Sequence, residues 1–256
     1  MSDGANEGTG GIAIERGAGY WAITLCRPDK LNALSAGMVE ALLASLDAAE
    51  VARVPLVTFA GEGRCFSAGF DMSEVEAQSE GDVVLRFIRI EMLLNRIASA
   101  PFQTVALVHG KNFGAGVDLI GACKRRYCAP GTTFRMPGLQ FGLVLGSARL
   151  ARLIGTAEAR RLLETSATFD AEHALRKGFV DAVMDQAEWP AVRAREAENA
   201  AFLPLDSLRL LHRTLDGERA DIDLATLVRS AAAPGIKARI AAYRKAAAAA
   251  AAKHPT

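Results

Sequence analysis

A chain of 256 residues is long enough to bury a full hydrophobic core, and with half its residues apolar and 23% charged it is not an extended disordered one. Thirty basic residues oppose twenty-nine acidic ones, and a net charge of +1 supplies no general attraction to nucleic acid or to an anionic membrane surface. The four cysteines, Cys26, Cys65, Cys123 and Cys128, lack C-x-x-C spacing and partnering histidines, which argues against a zinc site and predicts reduced core thiols.

The first residues, Ser2 to Gly11, are polar and glycine-rich and read as a frayed tail. They have neither the basic start nor the apolar run of a secretory leader, and no later stretch approaches a membrane span, so a cytoplasmic protein is expected. Ile12 to Glu15 and Tyr20 to Leu25 alternate as two strands around Gly17-Ala18-Gly19, a hairpin signal. Pro28 ends the extended segment, and Ser35 caps a predicted helix whose apolar face carries Met38, Leu42, Leu43 and Leu46. Pro55 opens a strand over Leu56 to Ala60. Asp82 is the predicted cap of a long helix from Val83 to Ala98, with Leu85, Ile88, Met92 and Leu93 on its apolar side. Thr104 to Val108 reads as a buried strand. Strands alternating with helices predict an α/β fold with its sites in the loops at strand ends. From Gln186 onward the pattern is helical, broken at Pro204, around Asp216-Gly217 and at Pro234. The predicted division is therefore a core over 11–185 and a helical region over 186–256, whose alanine-rich end should fray unless another subunit holds it.

Two segments share one design, a buried strand followed by a glycine-rich loop. The first runs from Val57-Thr58-Phe59-Ala60 through Gly61 to Ser67-Ala68-Gly69-Phe70-Asp71. The second runs from Val105 to Val108 through His109-Gly110-Lys111-Asn112-Phe113-Gly114-Ala115-Gly116-Val117-Asp118. Small residues let a ligand approach the main chain, and a helix start exposes N–H groups that cannot bond within the helix. Two such places converging would hold a developing negative charge on one oxygen. Each glycine loop alone is equally a tight turn; their combination, order and spacing carry the reading.

The chain resembles the crotonase family, also called the enoyl-CoA hydratase/isomerase family. The resemblance rests on Arg27-Pro28-Asp29-Lys30-Leu31-Asn32-Ala33-Leu34, on Phe66-Ser67-Ala68-Gly69-Phe70-Asp71 and on Val108-His109-Gly110 through Leu119. It continues through Phe134 to Gly155 and Ala171 to Val183 and weakens across the C-terminal helices. It implies a spiral of ββα turns with a helical region that mediates trimer formation, as a homotrimer or a dimer of trimers. It also implies an acyl-CoA substrate, no cofactor beyond the coenzyme A that the substrate carries, and a setting in fatty-acid or related acyl degradation. Carried over residue by residue, the backbone N–H groups of Phe70 and Ala115 form the oxyanion hole. Ala68, Asp71 and Lys30 fall in substrate-binding segments, Lys30 near the nucleotide of coenzyme A.

The pattern departs from family hydratases at both catalytic glutamates. The first position holds Asp118, similar to dienoyl-CoA isomerases of the family; the shorter side chain withdraws its carboxylate by about 1.5 Å, one carbon–carbon bond. The second holds Gly138, after Pro137, and the loop after Gly142 is shorter than the family's. Asp118 is thus the expected acid/base, its plain alternative being a helix-start charge. Arg135 is a candidate clamp for an acidic acyl substituent and Gln140 a candidate for orienting water, while His109 reads better as a hydrogen-bonded structural histidine. The expected chemistry is isomerisation or hydration of an enoyl-CoA. The alternatives are an acyl-CoA binder or assembly protein without turnover, and a thioester hydrolase using Ser67, for which Cys65-Phe66-Ser67-Ala68-Gly69 lacks the first glycine of a nucleophile elbow.

Overall fold

The computed structural model describes residues 7–216 and 220–253. The chain begins with β1 (Glu7–Thr9), β2 (Ile12–Gly17) and β3 (Tyr20–Leu25), a three-stranded antiparallel start in which Ile14 faces Ile23 and Gly17 faces Tyr20. The predicted hairpin therefore turns on Ala18 and Gly19. The predicted tail is ordered from Glu7 as β1, whose main chain satisfies the free edge of β2; its residues 1–6 lie outside the described residues.

Helix α1 (Ala36–Val51) is capped by Ser35, whose hydroxyl accepts the Met38 N–H at 3.3 Å, and its buried face carries Met38, Leu42 and Leu46 as expected. Strand β4 (Leu56–Gly61) follows. Helix α2 (Glu80–Ala98) begins earlier than its predicted start. Its cap is Ser79, and Asp82 is the reciprocal partner of a capping box: the Ser79 hydroxyl accepts from the Asp82 N–H while the Asp82 carboxylate accepts from the Ser79 N–H. Packing bears out part of the expected face of this helix and turns part of it outward. Of the expected residues Leu93 is buried and Ile88 half-buried, whereas Leu85 and Met92 are 54% and 40% exposed; Phe87, Ile90, Leu94 and Ile97 complete the buried side.

Strand β5 (Gln103–Val108) leads directly into β6 (Lys111–Phe113) and helix α3 (Ala115–Ala122). Strand β7 (Arg125–Cys128) leads into β8 (Thr133–Arg135), then a short 3-10 turn, Gly138–Phe141, and α4 (Ser147–Ile154). These are two ββα turns. In each, the first strand joins the large sheet and the second a small one. The chain changes sheets at Gly110, φ +68°, where a Cβ would lie 2.0 Å from the Arg64 carbonyl oxygen, so only glycine fits the crossing. Helix α5 (Thr156–Thr165), β9 (Phe169–Asp170), α6 (Ala171–Arg176) and β10 (Ala182–Val183) complete the core. The large sheet has the order β1-β2-β3-β4-β5-β7-β10, parallel from β3 onward; the small one is β6-β8-β9.

Helices α7 (Trp189–Phe202), α8 (Leu205–Asp216), α9 (Ala220–Ala231) and α10 (Ile236–Lys253) follow, with breaks at the predicted Pro204 and Pro234. The third expected break, at Asp216-Gly217, reaches outside the described residues. Region 186–256 is helical in its described part, but α9 and α10 do not stand apart from the core. Leu227, Ala231, Ile236 and Ile240 are buried in the same cluster as Phe87 and Leu150, and α9 packs on α2. Among the described residues no helix is long and apolar enough to cross a membrane.

Candidate active site

The two glycine loops meet. After β4 the chain runs to Phe70, which forms a parallel bridge with Leu34: the Leu34 N–H donates to the Gly69 carbonyl at 2.7 Å and the Asp71 N–H to the Leu34 carbonyl at 3.2 Å. In such a bridge the flanking residues carry the bonds, and the N–H of Phe70 itself is left over. In the second loop Gly114, φ 48°, precedes α3, and its carbonyl accepts from Val117 and Asp118 at 2.8 and 3.0 Å. Ala115 opens the helix, where an N–H has no intrahelical partner. Among the described residues neither the Phe70 nor the Ala115 N–H meets a protein acceptor. Gly69 is the point of contact: with φ +86°, a Cβ there would lie 2.4 Å from the Phe113 carbonyl oxygen and 3.1 Å from the Ala115 nitrogen. Any side chain would push the two donors apart.

The residues of segment 27–34 hold this arrangement from behind. Asn32, fully buried, donates to the Glu62 and Cys65 carbonyls at 2.8 and 3.0 Å, and Arg27 pairs with Asp71 at 2.9 Å. Ser67 is equally structural. Its hydroxyl donates to the Asn32 carbonyl at 2.8 Å and accepts from the Gly69 N–H at 3.1 Å. Among the described residues no histidine or acid is hydrogen-bonded to it, so the nucleophile alternative finds no support here.

Phe70 and Ala115 line an apolar cavity of about 370 Å³ walled also by Ala68, Phe87, Leu143 and Leu145. Asp118, one turn into α3, is the only carboxylate on its described wall. The side chain is 5% exposed, and Oδ1 is buried without a hydrogen-bond partner. It therefore caps nothing. Burial pushes its pKa well above the ordinary aspartate range; Arg149 opposes the rise and Glu91 adds to it. Arg149 on α4 and Glu91 on α2 form a buried ion pair, and Arg149 also donates to the Asn95 side chain at 2.5 Å. Gly146, φ +61°, admits the aspartate: a Cβ there would lie 1.7 Å from Oδ1.

The structure sorts the other expected residues. Ala68 lies on the cavity wall. Asp71 does not; its carboxylate accepts from Ser73 and pairs with Arg27, and these bonds hold it below the usual aspartate range against the effect of burial. Arg135 donates to the Ser166 carbonyl at 2.9 Å, and its own carbonyl accepts the Gly114 N–H. It braces the second loop rather than facing the cavity. Gln140 is exposed at the surface of the 3-10 turn, and Lys30 is exposed in the turn Pro28–Lys30; neither lines the cavity. His109 is buried against Trp189 with Nε2 2.9 Å from the Gly63 carbonyl oxygen, the structural role expected of it. The sequence reading missed the far wall, where α10 contributes Tyr243, Arg244 and Ala247. Tyr243, the one aromatic residue of that alanine-rich helix, was the available signal.

A larger hollow of about 910 Å³ lies between α3, α4, α7 and α8. Its cations are already engaged, Lys124 with the Ala98 and Ala100 carbonyls and Arg126 with those of Phe179 and Cys123. The smaller cavity is the one on which the uncommitted Phe70 and Ala115 N–H groups and Asp118 converge.

The enoyl-CoA hydratase/isomerase family model matches residues 15–221. A Bacillus subtilis protein of the enoyl-CoA hydratase kind is 35% identical over 191 residues, 71% of this chain and 74% of its own. A 4-chlorobenzoyl coenzyme A dehalogenase from Arthrobacter sp is 26% identical over 248 residues, 91% of this chain and 90% of that one. A solved structure of the enoyl-CoA hydratase/isomerase kind from Bordetella parapertussis superposes with a TM-score of 0.90 at 54% identity, covering 91% of this chain and 98% of that chain.

Proposed function

The chain belongs to the enoyl-CoA hydratase/isomerase family, and from that premise we propose that it is an enzyme of enolate chemistry on an acyl-CoA thioester, isomerising or hydrating an enoyl-CoA. The observation that carries the reading is the convergence of two uncommitted N–H groups, from Phe70 and Ala115, and one carboxyl group, that of Asp118, on a single apolar cavity. A thioester oxygen accepting from both donors gains most when it carries the enolate charge. Each such donor contributes roughly 3–4 kcal/mol to transition-state stabilisation. The hydrogens on the adjacent carbon become acidic enough for a carboxylate to remove. Burial makes Asp118 a stronger base once ionised, which suits it to that step.

Gly138 narrows the choice between the two reactions. It lines the cavity where family hydratases carry their second acid, and without a second carboxyl group to position an added water the described wall favours proton transfer on the acyl chain over hydration. Double-bond isomerisation is thus the preferred reaction. The enzyme so proposed uses no dissociable cofactor besides the coenzyme A of its substrate.

Incubation in deuterium oxide with a 3-enoyl-CoA and with crotonyl-CoA, followed by NMR, tests this. Label entering the carbon next to the thioester, and lost in Asp118→Asn, supports the proposal; the product separates isomerisation from hydration. Binding of a broad panel of acyl-CoAs without label uptake favours the second reading, a binder without turnover, to which the absent second acid at Gly138 gives weight. Assembly as a homotrimer or a dimer of trimers belongs to the same proposal. Its support is the apolar surface left on α7 and α8, where Phe202, Leu210 and Leu215 are 85%, 64% and 71% exposed.

A further inference from the structure

The cavity wall carries four side chains able to donate a proton or a hydrogen bond: Asp118, Ser147, Tyr243 and Arg244. Two are committed elsewhere. The Ser147 hydroxyl donates to the Leu145 carbonyl at 3.3 Å, and Arg244 pairs with Glu76 at 3.2 Å; a guanidinium, moreover, does not release protons. The Tyr243 hydroxyl has no hydrogen-bond partner among the described residues although its ring is half-buried. Its placement is also specific. Helix α10 packs on the 3-10 turn Gly138–Phe141, Arg239 ties the two by donating to the Phe141 carbonyl at 2.9 Å, and the Tyr243 ring lies 5.2 Å from that of Phe141. The turn that lacks an acid at its first residue is thus covered by a phenol from the far end of the chain.

We propose that Tyr243 is the second proton-transferring residue of the site, serving the carbon that Asp118 does not reach. The inference rests on the enolate reading above. In isomerisation of a 3-enoyl-CoA, the Asp118 carboxylate takes a proton from C2, breaking the C–H bond, and its electron pair moves through C1 onto the thioester oxygen held by Phe70 and Ala115. The electrons then return to form the C2=C3 double bond while those of the C3=C4 bond take the phenolic proton at C4. Asp118 leaves the step as the carboxylic acid and Tyr243 as the phenolate. One proton passed from the acid to the phenolate through solvent resets both, with no net gain or loss of protons or electrons.

Tyr243→Phe, which keeps the ring against Phe141, tests this in the same deuterium-oxide experiment. The expected result is that label still enters C2, because Asp118 and the two N–H groups remain, while formation of the 2-enoyl product falls by about 10²-fold or more, the usual contribution of a general acid. The KM should be nearly unchanged. Full conversion by the variant overturns the proposal for Tyr243 alone. Loss of label uptake together with conversion also overturns it, because the phenol would then serve the first step or the shape of the cavity. If the unmodified protein shows neither uptake nor conversion, the enolate reading itself falls.

Discussion

The acid/base role proposed for Asp118 conflicts with stability. In the native site burial keeps its pKa raised, so the folded state holds that proton more tightly than the unfolded chain. The stability it contributes is fully present below the ordinary aspartate pKa and is lost as pH rises through the raised value. Asp118→Asn should therefore be more stable than the parent at about pH 8, by about 0.5–2 kcal/mol in urea titrations, with the difference vanishing near pH 3. The same variant should lose about 10²–10⁴-fold in turnover. As a base, the parent's Asp118 must be ionised, and kcat should climb with pH across the raised pKa. Gly146 tests the geometry independently of charge. In Gly146→Ala the new Cβ meets Oδ1, and φ +61° disfavours any side chain, so the carboxylate must move. A displacement of about 1 Å costs on the order of 10²-fold in rate. Turnover at the parent level in Gly146→Ala would show that the carboxylate's position is not what matters.

At the scale of elements, the cavity forms where several pieces of chain meet. The loop after β4 and the start of α3 supply donors, while α2 and α4 stand behind Asp118 with the buried pair Glu91–Arg149. Burial pushes Glu91 upward and the guanidinium opposes it. Removing one partner of such a pair costs about 3–5 kcal/mol. Glu91→Gln should show that loss in chemical denaturation. It should also move the rise of kcat to lower pH, because the Glu91 charge raises the Asp118 pKa and Arg149 would then act on it unopposed. An unshifted pH profile with the stability loss intact would confine Glu91 to a structural role. Helix α2 also shows how far local spacing goes. Periodicity found Leu93 but not Phe87, whose burial comes with a tertiary contact, the stacking of its ring on that of Phe70 at 4.2 Å.

At the scale of the molecule, the last helix lines the proposed site. Helix α10 closes the cavity with Tyr243, while α8 leaves Leu210, Leu211 and Leu215 64%, 45% and 71% exposed. If these leucines meet a neighbouring copy, Leu211→Glu/Leu215→Glu should shift the particle mass measured by light scattering from that of the assembly to that of one chain. A parent protein already of single-chain mass would remove the assembly from the proposal.

The sequence by itself determined the α/β class, the hairpin, the Ser35-capped helix and the two donor loops. Each is a local matter: a glycine where a Cβ would strike main chain, a hydroxyl before a helix, a free N–H at its first residue. It also placed Asp118 in the first turns of α3 and showed Gly138 where an acid is usual. Only the tertiary structure decided that Asp71 and Arg135 brace the loops, because a charged side chain in a motif reads the same whether it faces a ligand or a neighbouring carbonyl. It alone showed that Asp118 Oδ1 is buried without a hydrogen-bond partner among the described residues, since burial and the absence of a bond belong to the whole surround. It alone brought Tyr243 to the turn at Gly138, a contact between residues far apart in the chain that no local pattern encodes.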